Sequence, residues 1–206
     1  MTETVQLFIT CILDTLYPEV AESVCRVLEK AGAVVMVPAG QTCCGQPAFN
    51  AGMRAEARRM AIHTIQTFDE APGAVVVPSG SCAAMIRHSY PELFAGDSKW
   101  LPRAQSLAQR TYELTEYLVD VLGVTNLGAC YQGKLTYHAS CHLLRELGVE
   151  HQPRALLAQV QGADLVELLE SQGRAMCAAR VTRGVPLKHG RFSSCWRRTP
   201  RLILAQ

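Results

Sequence analysis

Three short apolar runs, each followed within a few residues by a cysteine, constrain this chain more than any other feature. Residues 5–9 lead to Cys11, residues 33–37 lead to the adjacent pair Cys43-Cys44, and residues 74–77 lead to Cys82. The run at 33–37 is Val-rich and does not alternate, the pattern of a strand buried on both faces of a parallel sheet. Between the runs the period changes. Val20, Val24, Val27 and Leu28 recur at helical spacing over 18–31, and 51–68 reads as a second helix with Arg54, Arg58 and Arg59 on its wet side. Strands alternating with helices predict right-handed βαβ units in an α/β, doubly wound sheet.

The pattern then repeats. An amphipathic stretch over 101–122 reads as a helical connector. A second pass begins at Lys134 with a strand-like run, followed by His138-Ala139-Ser140-Cys141-His142. A helix over 155–160 and a strand over 165–169 lead on to Cys177. The interval from Cys11 to Cys43 is nearly reproduced between Cys141 and Cys177, which reads as an internal duplication. The expected organisation is therefore two tandem parallel-sheet βαβ cysteine-rich domains, at 1–95 and 133–206, with a helical connector at 96–132.

Ligands of open α/β sheets bind beyond the carboxyl ends of the strands. Cys11, Cys43, Cys44 and Cys82 all fall there, and neighbouring strands lie about 5 Å apart, so four sulfurs are expected on one rim. Around one shared centre they should lie about 4 to 7 Å from one another, given metal–sulfur bonds of about 2.3 Å. Paired thiols are soft ligands for zinc, copper or iron–sulfur clusters. Gly45 and Gly80 let the backbone come close to a bulky group, and Pro47 stiffens the exit from the Cys-Cys loop.

Composition narrows the classes. A net charge of +2 gives no basis for nucleic-acid binding, and no aromatic-basic stripe accompanies the basic residues after Arg174. No apolar run reaches the length of a membrane span, and the acidic start at Met1-Thr2-Glu3-Thr4 is unlike a signal peptide, so a cytoplasmic protein is expected. Nine cysteines in a reducing compartment are then ligands, redox groups or buried apolar residues rather than structural disulfides. Among them, Cys25 lies inside a helical apolar pattern and reads as core. Cys130 reads as an incidental loop residue, and Cys195 has no assigned role. His138 and His142 flank Cys141 as candidate ligands or proton carriers, though a loop histidine with local partners is the simpler reading. His63 and His88 read as helix-surface residues. No P-loop, G-x-G-x-x-G or Ser/His/Asp order is present. Thiol–disulfide exchange at Cys43-Cys44 is disfavoured, since a bridge between neighbours is strained and no C-x-x-C occurs.

Phe8-Ile9-Thr10-Cys11, Thr42-Cys43-Cys44-Gly45-Gln46-Pro47-Ala48-Phe49-Asn50-Ala51-Gly52 and Pro78-Ser79-Gly80-Ser81-Cys82 together resemble the cysteine-rich CCG-domain iron–sulfur proteins. That family includes the cysteine-rich component of heterodisulfide reductase and the iron–sulfur component of glycolate oxidase. Tyr112-Glu113-Leu114-Thr115 and His138-Ala139-Ser140-Cys141-His142 resemble its lactate-utilization branch. The resemblance covers about residues 5–177. It implies a cytosolic subunit, oxidoreductase in class, that works with iron–sulfur lactate-utilization partner proteins to oxidise L-lactate to pyruvate. It also implies an iron–sulfur cluster, of 4Fe-4S type, on Cys11, Cys43, Cys44 and Cys82, with Cys141 and Cys177 as a weaker second set. A zinc-stabilised scaffold that docks an iron–sulfur partner without moving electrons is the alternative at the first site.

Two departures from the family pattern stand out. Cys82 is followed by Ala83-Ala84-Met85, where the family often closes on Cys-x-x-Cys, so the first site has four cysteines. Cys177-Ala178-Ala179-Arg180 stands where a second Cys-Cys-Gly is expected, and the residues up to Gln206 lose the pattern apart from Lys188-His189-Gly190. The second domain is accordingly expected to be truncated and its site empty, with a reading-frame shift or a vestigial second site as the origin.

Overall fold

The computed structural model describes residues 3–166. The first strand, β1 (Thr4–Leu7), is followed by two helices, α1 (Cys11–Leu16) and α2 (Pro18–Lys30). Then come β2 (Val34–Met36), α3 (Gln46–Asn50), α4 (Arg54–Asp69) and β3 (Ala74–Val77). The chain continues through α5 (Gly80–Ala84), a π-helical turn at Met85–Ser89, α6 (Tyr90–Leu93), α7 (Leu101–Gln109) and β4 (Thr111–Glu113). A short α8 (Leu114–Glu116) runs into a second π-helical turn at Tyr117–Val121. The second unit holds β5 (Cys130–Leu135), a π-helical turn at His142–Glu146, α9 (His151–Ala158) and β6 (Gln161–Leu165).

The α/β architecture with parallel sheets is as the sequence predicts. β2, β1, β3 and β4 form one parallel sheet in that order, and β5 pairs in parallel with β6 in a second. From β1 the chain crosses outward to β2 and then back past β1 to β3. The order therefore reverses between β1 and β3, which makes a crevice at that point.

The two faces of the first sheet are covered by different layers. Phe8, Val75 and Val77 pack with Ala61, Ile65, Phe68, Phe94 and Leu107, and the Phe8 and Phe68 rings stack 5.5 Å apart. Val5, Leu7 and Val76 face the other way, onto Val24, Val27, Leu28, Leu114 and Leu118. The period-2 alternation of β3 places Val76 between two residues that serve the opposite core. Gln6, buried within β1, donates its side-chain N–H to the Ala71 carbonyl at 2.7 Å and so ties the end of α4 to the strand.

Several local expectations are corrected. The 33–37 run is an edge strand, not one buried on both faces: Val34 and Met36 are 48% and 45% exposed, as is Val37 at 47%. The expected 51–68 helix is α4, which starts only at Arg54 because Gly52, at positive φ, separates it from the short α3. On α4, Arg58 is not simply wet. It donates to the Leu93 carbonyl at 2.8 Å, lies over the Phe94 ring and pairs with Asp97. The 101–122 stretch is not one helix, since β4 interrupts it and becomes the fourth strand of the first sheet. Cys130 is a buried residue that opens β5 rather than an incidental loop residue. Cys25 packs against the second core as expected. No helix among the described residues is long and apolar enough to cross a membrane. Expectations for the strand at 165–169 beyond its start, and for Cys177, Cys195 and the tail, fall largely outside the described residues.

Candidate metal centre

The switch-point crevice between β1 and β3 is where the cysteines meet. Thr10 caps α1, its Oγ accepting from the Leu13 N–H at 3.4 Å, and so aims the first turn with Cys11 into the rim. Gly45, at φ +86, turns the Cys-Cys segment into α3, whose first turn contains Pro47. A Cβ at Gly45 would sit 3.2 Å from the Met60 Cβ and 3.5 Å from the Ala57 carbonyl oxygen. The close approach that selects glycine is thus to helix α4, not the approach to an inorganic group that the sequence suggested. At Gly80 a Cβ would meet the Leu143 Cβ at 2.8 Å, so this glycine lets the second unit close onto the loop before Cys82.

All four predicted cysteines come together. The Cys11 and Cys43 sulfurs are 3.5 Å apart, and those of Cys44 and Cys82 are 3.3 Å apart. These separations are closer than the expected 4 to 7 Å, because the thiols hydrogen-bond to one another. Cys11 and Cys44 donate, and Cys43 and Cys82 accept. The hydrogen bond from Cys44 holds the Cys43 thiol down at about 5, with further help from the Gly45 N–H and from Cys11. Cys82 is lowered too, first by Cys44 and then by the Ser79 and Ser81 hydroxyls. Burial, and donation to Cys43, push Cys11 up to about 11. Cys44 is raised by donating to Cys43 and then to Cys82. At neutral pH Cys43 is therefore held as a thiolate and Cys11 as a thiol, with Cys44 shifted up and Cys82 shifted down.

Three polar residues that the sequence reading passed over shape this row. Gln41 donates to the Leu7 carbonyl at 2.9 Å and accepts from the Ile9 N–H at 2.9 Å, stapling the loop before Cys43 to the exit of β1. Tyr90, fully buried, donates to the Cys44 carbonyl at 2.8 Å. Gln46 reaches His142 across 3.5 Å, and His142 in turn meets the Glu146 carboxylate at 2.7 Å. An amide followed by a loop cysteine is the one signal that marked Gln41, and no local signal marked Tyr90.

Cys44 and Cys82 are buried, whereas Cys11 and Cys43 line an open cleft of about 270 Å³ with Gln41 and Asp14. Four thiols, one held as a thiolate at Cys43 and a second lowered at Cys82, suit a thiolate-bound metal or cluster by donor chemistry. They meet in two close pairs, Cys11 with Cys43 and Cys44 with Cys82, and no three His, Cys, Asp or Glu side chains among the described residues are arranged to hold a single ion. The donor set fits a soft-metal group, and its spacing is not that of a single-ion shell. In the second unit Cys141 precedes the π-helical turn at His142–Glu146, and Cys177 lies outside the described residues. His142 is engaged with Gln46 and Glu146, and His138 is exposed on the rim of a separate cavity. His63 and His88 are surface residues as expected, each contacting a backbone carbonyl.

A parallel sheet with adjacent thiols at its switch point defines a cysteine-rich domain protein. The chain belongs to the CCG cysteine-rich domain family, whose profile matches residues 5–87 and 135–186. It is 49% identical over 165 residues to lactate utilization protein A of Exiguobacterium sp., covering 80% of this chain and 67% of that protein. Over 164 residues it is 47% identical to lactate utilization protein A 2 of Bacillus cereus strain Q1, covering 80% and 67%. It is 48% identical to lactate utilization protein A of Oceanobacillus iheyensis, also over 164 residues, covering 80% and 66%.

Proposed function

We propose that this chain is an iron–sulfur electron-transfer subunit of a cytoplasmic system that oxidises L-lactate to pyruvate. Cys11, Cys43, Cys44 and Cys82 hold the cluster, of 4Fe-4S type. The observation that carries the reading is the meeting of four sulfurs in two close pairs at the switch point, with Cys43 held as a thiolate. The names of the relatives supply the metabolic setting. A bound cluster supplies one-electron transfer at a potential set by its ligands, hydrogen bonds and burial.

The chain's own residues set those terms. Ser79 and Ser81 hydrogen-bond the Cys82 sulfur, and Tyr90 fixes the Cys44 carbonyl. Burial of Cys44 and Cys82 excludes water from one side of the row, while the cleft at Cys11 and Cys43 gives an iron–sulfur partner protein a short approach. In this reading the first cysteine-rich unit spans 1–95 and the second 133–206, joined through 96–132, with Cys141 and Cys177 as a lesser ligand pair.

Anaerobic purification tests it. A brown protein containing iron and acid-labile sulfide in near-equal amounts, with an electron paramagnetic resonance signal after reduction, is the expected result. Loss of that iron in Cys43→Ser ties it to the row. A colourless protein that retains zinc alone would overturn the reading in favour of a zinc-stabilised docking scaffold.

A further inference from the structure

A second polar site lies away from the cysteine row. A cavity of about 380 Å³ opens between the two sheets, beyond the carboxyl ends of β3, β4 and β5. That size falls within the roughly 300–1,000 Å³ range of small-molecule sites. Its walls include Leu143 and Leu157, and its polar groups include Glu113, Thr136, Tyr137 and His138.

Two of these polar groups are incompletely satisfied. Glu113 is 5% exposed, and its three hydrogen bonds, from the Thr115 N–H, the Thr115 hydroxyl and the Glu116 N–H, all fall on Oε2. The other carboxyl oxygen is left for the cavity. The Tyr137 hydroxyl is buried and has no hydrogen-bond partner among the described residues. Buried polar groups are paired in folded proteins, so a wall with an orphaned phenol beside a half-used carboxyl calls for a ligand that both donates and accepts. An alcohol does both at one oxygen. The two groups are close enough for the Glu113 charge to raise the Tyr137 phenol, whose largest perturbation, burial, pushes the same way.

The mouth differs from the deep end. Thr136 and His138 are exposed there, and the lining residues include no Lys or Arg. The Arg154 guanidinium sits over the Tyr137 ring, 5.3 Å from its centroid, rather than in the lining. An anionic group therefore meets no cation among the lining residues and keeps its hydration at the wet mouth. The ligand this arrangement suits is short: hydroxyl at one end, carboxylate at the other, with a small apolar substituent against the leucines.

We propose that this cavity binds a small 2-hydroxy carboxylate, its hydroxyl placed between Glu113 and Tyr137 and its carboxylate at the His138 mouth. The assignment rests on the lactate-oxidation reading for its choice of ligand class and places that ligand on this chain, beside the Cys82 loop, rather than on a partner.

The test is calorimetric titration of the full chain, purified anaerobically, with L-lactate and with propionate, which lacks the hydroxyl. Saturable binding of L-lactate at least about tenfold tighter than propionate is expected, because a site built around a hydroxyl rejects the analogue without it. Tyr137→Phe removes only an unpartnered hydroxyl, so it should melt at the wild-type temperature while the lactate-to-propionate preference collapses toward one. Glu113→Gln should weaken lactate by at least about tenfold. If loss of its helix-capping role unfolds that variant, Tyr137→Phe decides alone. Absence of saturable L-lactate binding, or equal affinity for the two acids, would overturn the assignment. So would a preference unchanged in Tyr137→Phe. Iron and sulfide measured on the same sample separate the two claims. A full cluster without lactate binding refutes this site only, and lactate binding without iron refutes only the electron-transfer reading.

Discussion

Tyr90 donates its phenolic hydrogen to the carbonyl oxygen of Cys44 across 2.8 Å, from a position with no solvent exposure. The bond spans two elements far apart in the chain and fixes the backbone between the two pairs of sulfurs. Its removal has a definite consequence. Tyr90→Phe leaves a carbonyl without its donor in the first core, which costs about 1–3 kcal/mol. The denaturation midpoint should fall accordingly. An unchanged midpoint would show that another donor reaches the carbonyl.

Cysteine substitutions should divide sharply. Cys43→Ser removes the sulfur that accepts from both Cys11 and Cys44, and it should abolish metal retention in the purified protein. Cys25→Ser exchanges a half-buried thiol against the second core, and it should cost about 1 kcal/mol while leaving the metal content intact. Metal analysis beside thermal melts checks both. Equal metal loss in the two variants would contradict the assignment.

Gly45 and Gly52 both hold positive φ, at 86° and 77°, but only Gly45 has neighbours where a side chain would go. Gly52→Ala should carry backbone strain alone, about 1–2 kcal/mol. Gly45→Ala adds an approach of 3.2 Å to the Met60 Cβ, so it should be clearly the more destabilising. Melting the pair side by side reads the difference, and equal losses would mean that α4 yields freely.

Burial raises the Glu113 carboxyl to about 7 from its ordinary 4.5. The folded state therefore holds this proton more tightly than the unfolded chain does. The stabilisation is complete below pH 4.5 and is lost as pH rises through 7, by an amount on the order of 3 kcal/mol. Other groups titrate in the same window, and Cys43, held low, contributes with the opposite sign. The stability difference between wild type and Glu113→Gln should thus decline from pH 4.5 to 7. A difference that is flat with pH would show the carboxyl ionised throughout.

Much of this fold was legible because its βα units are short and their periods distinct. The runs before Cys11 and Cys82 are strands, and the Val20–Val24–Val27–Leu28 spacing is a helix whose apolar face meets the second core. What escaped depended on neighbours. Apolar composition at 33–37 cannot tell an edge strand from a central one, since both pair through the backbone. β4 is three residues long, and its polar members, Thr111 and Glu113, are buried by the helices around them rather than by their own character. Glu113 was visible as the start of Glu113-Leu114-Thr115-Glu116, in which Glu113 caps α8 and Glu116 caps back, a carboxylate variant of the capping box. The cysteine row was legible as a set because strand ends in a parallel sheet share one edge. Gln41 and Tyr90 act on that row through partners 34 and 46 residues away, and spacing carries no trace of such pairs.

The crossed strand order has a kinetic meaning as well. Cys11 and Cys82 flank the place where β1 and β3 pair, and the chain between them must first form β2 on the far side. No two members of the row except Cys43 and Cys44 are near neighbours along the chain, so both long loops must close before the sulfurs meet. Assembly of the thiol row is therefore a late event in folding, and the nascent polypeptide presents scattered, separately reactive thiols until both crossovers are complete. The interval before closure is therefore when Cys44 and Cys82, buried in the finished protein, are open to stray oxidation.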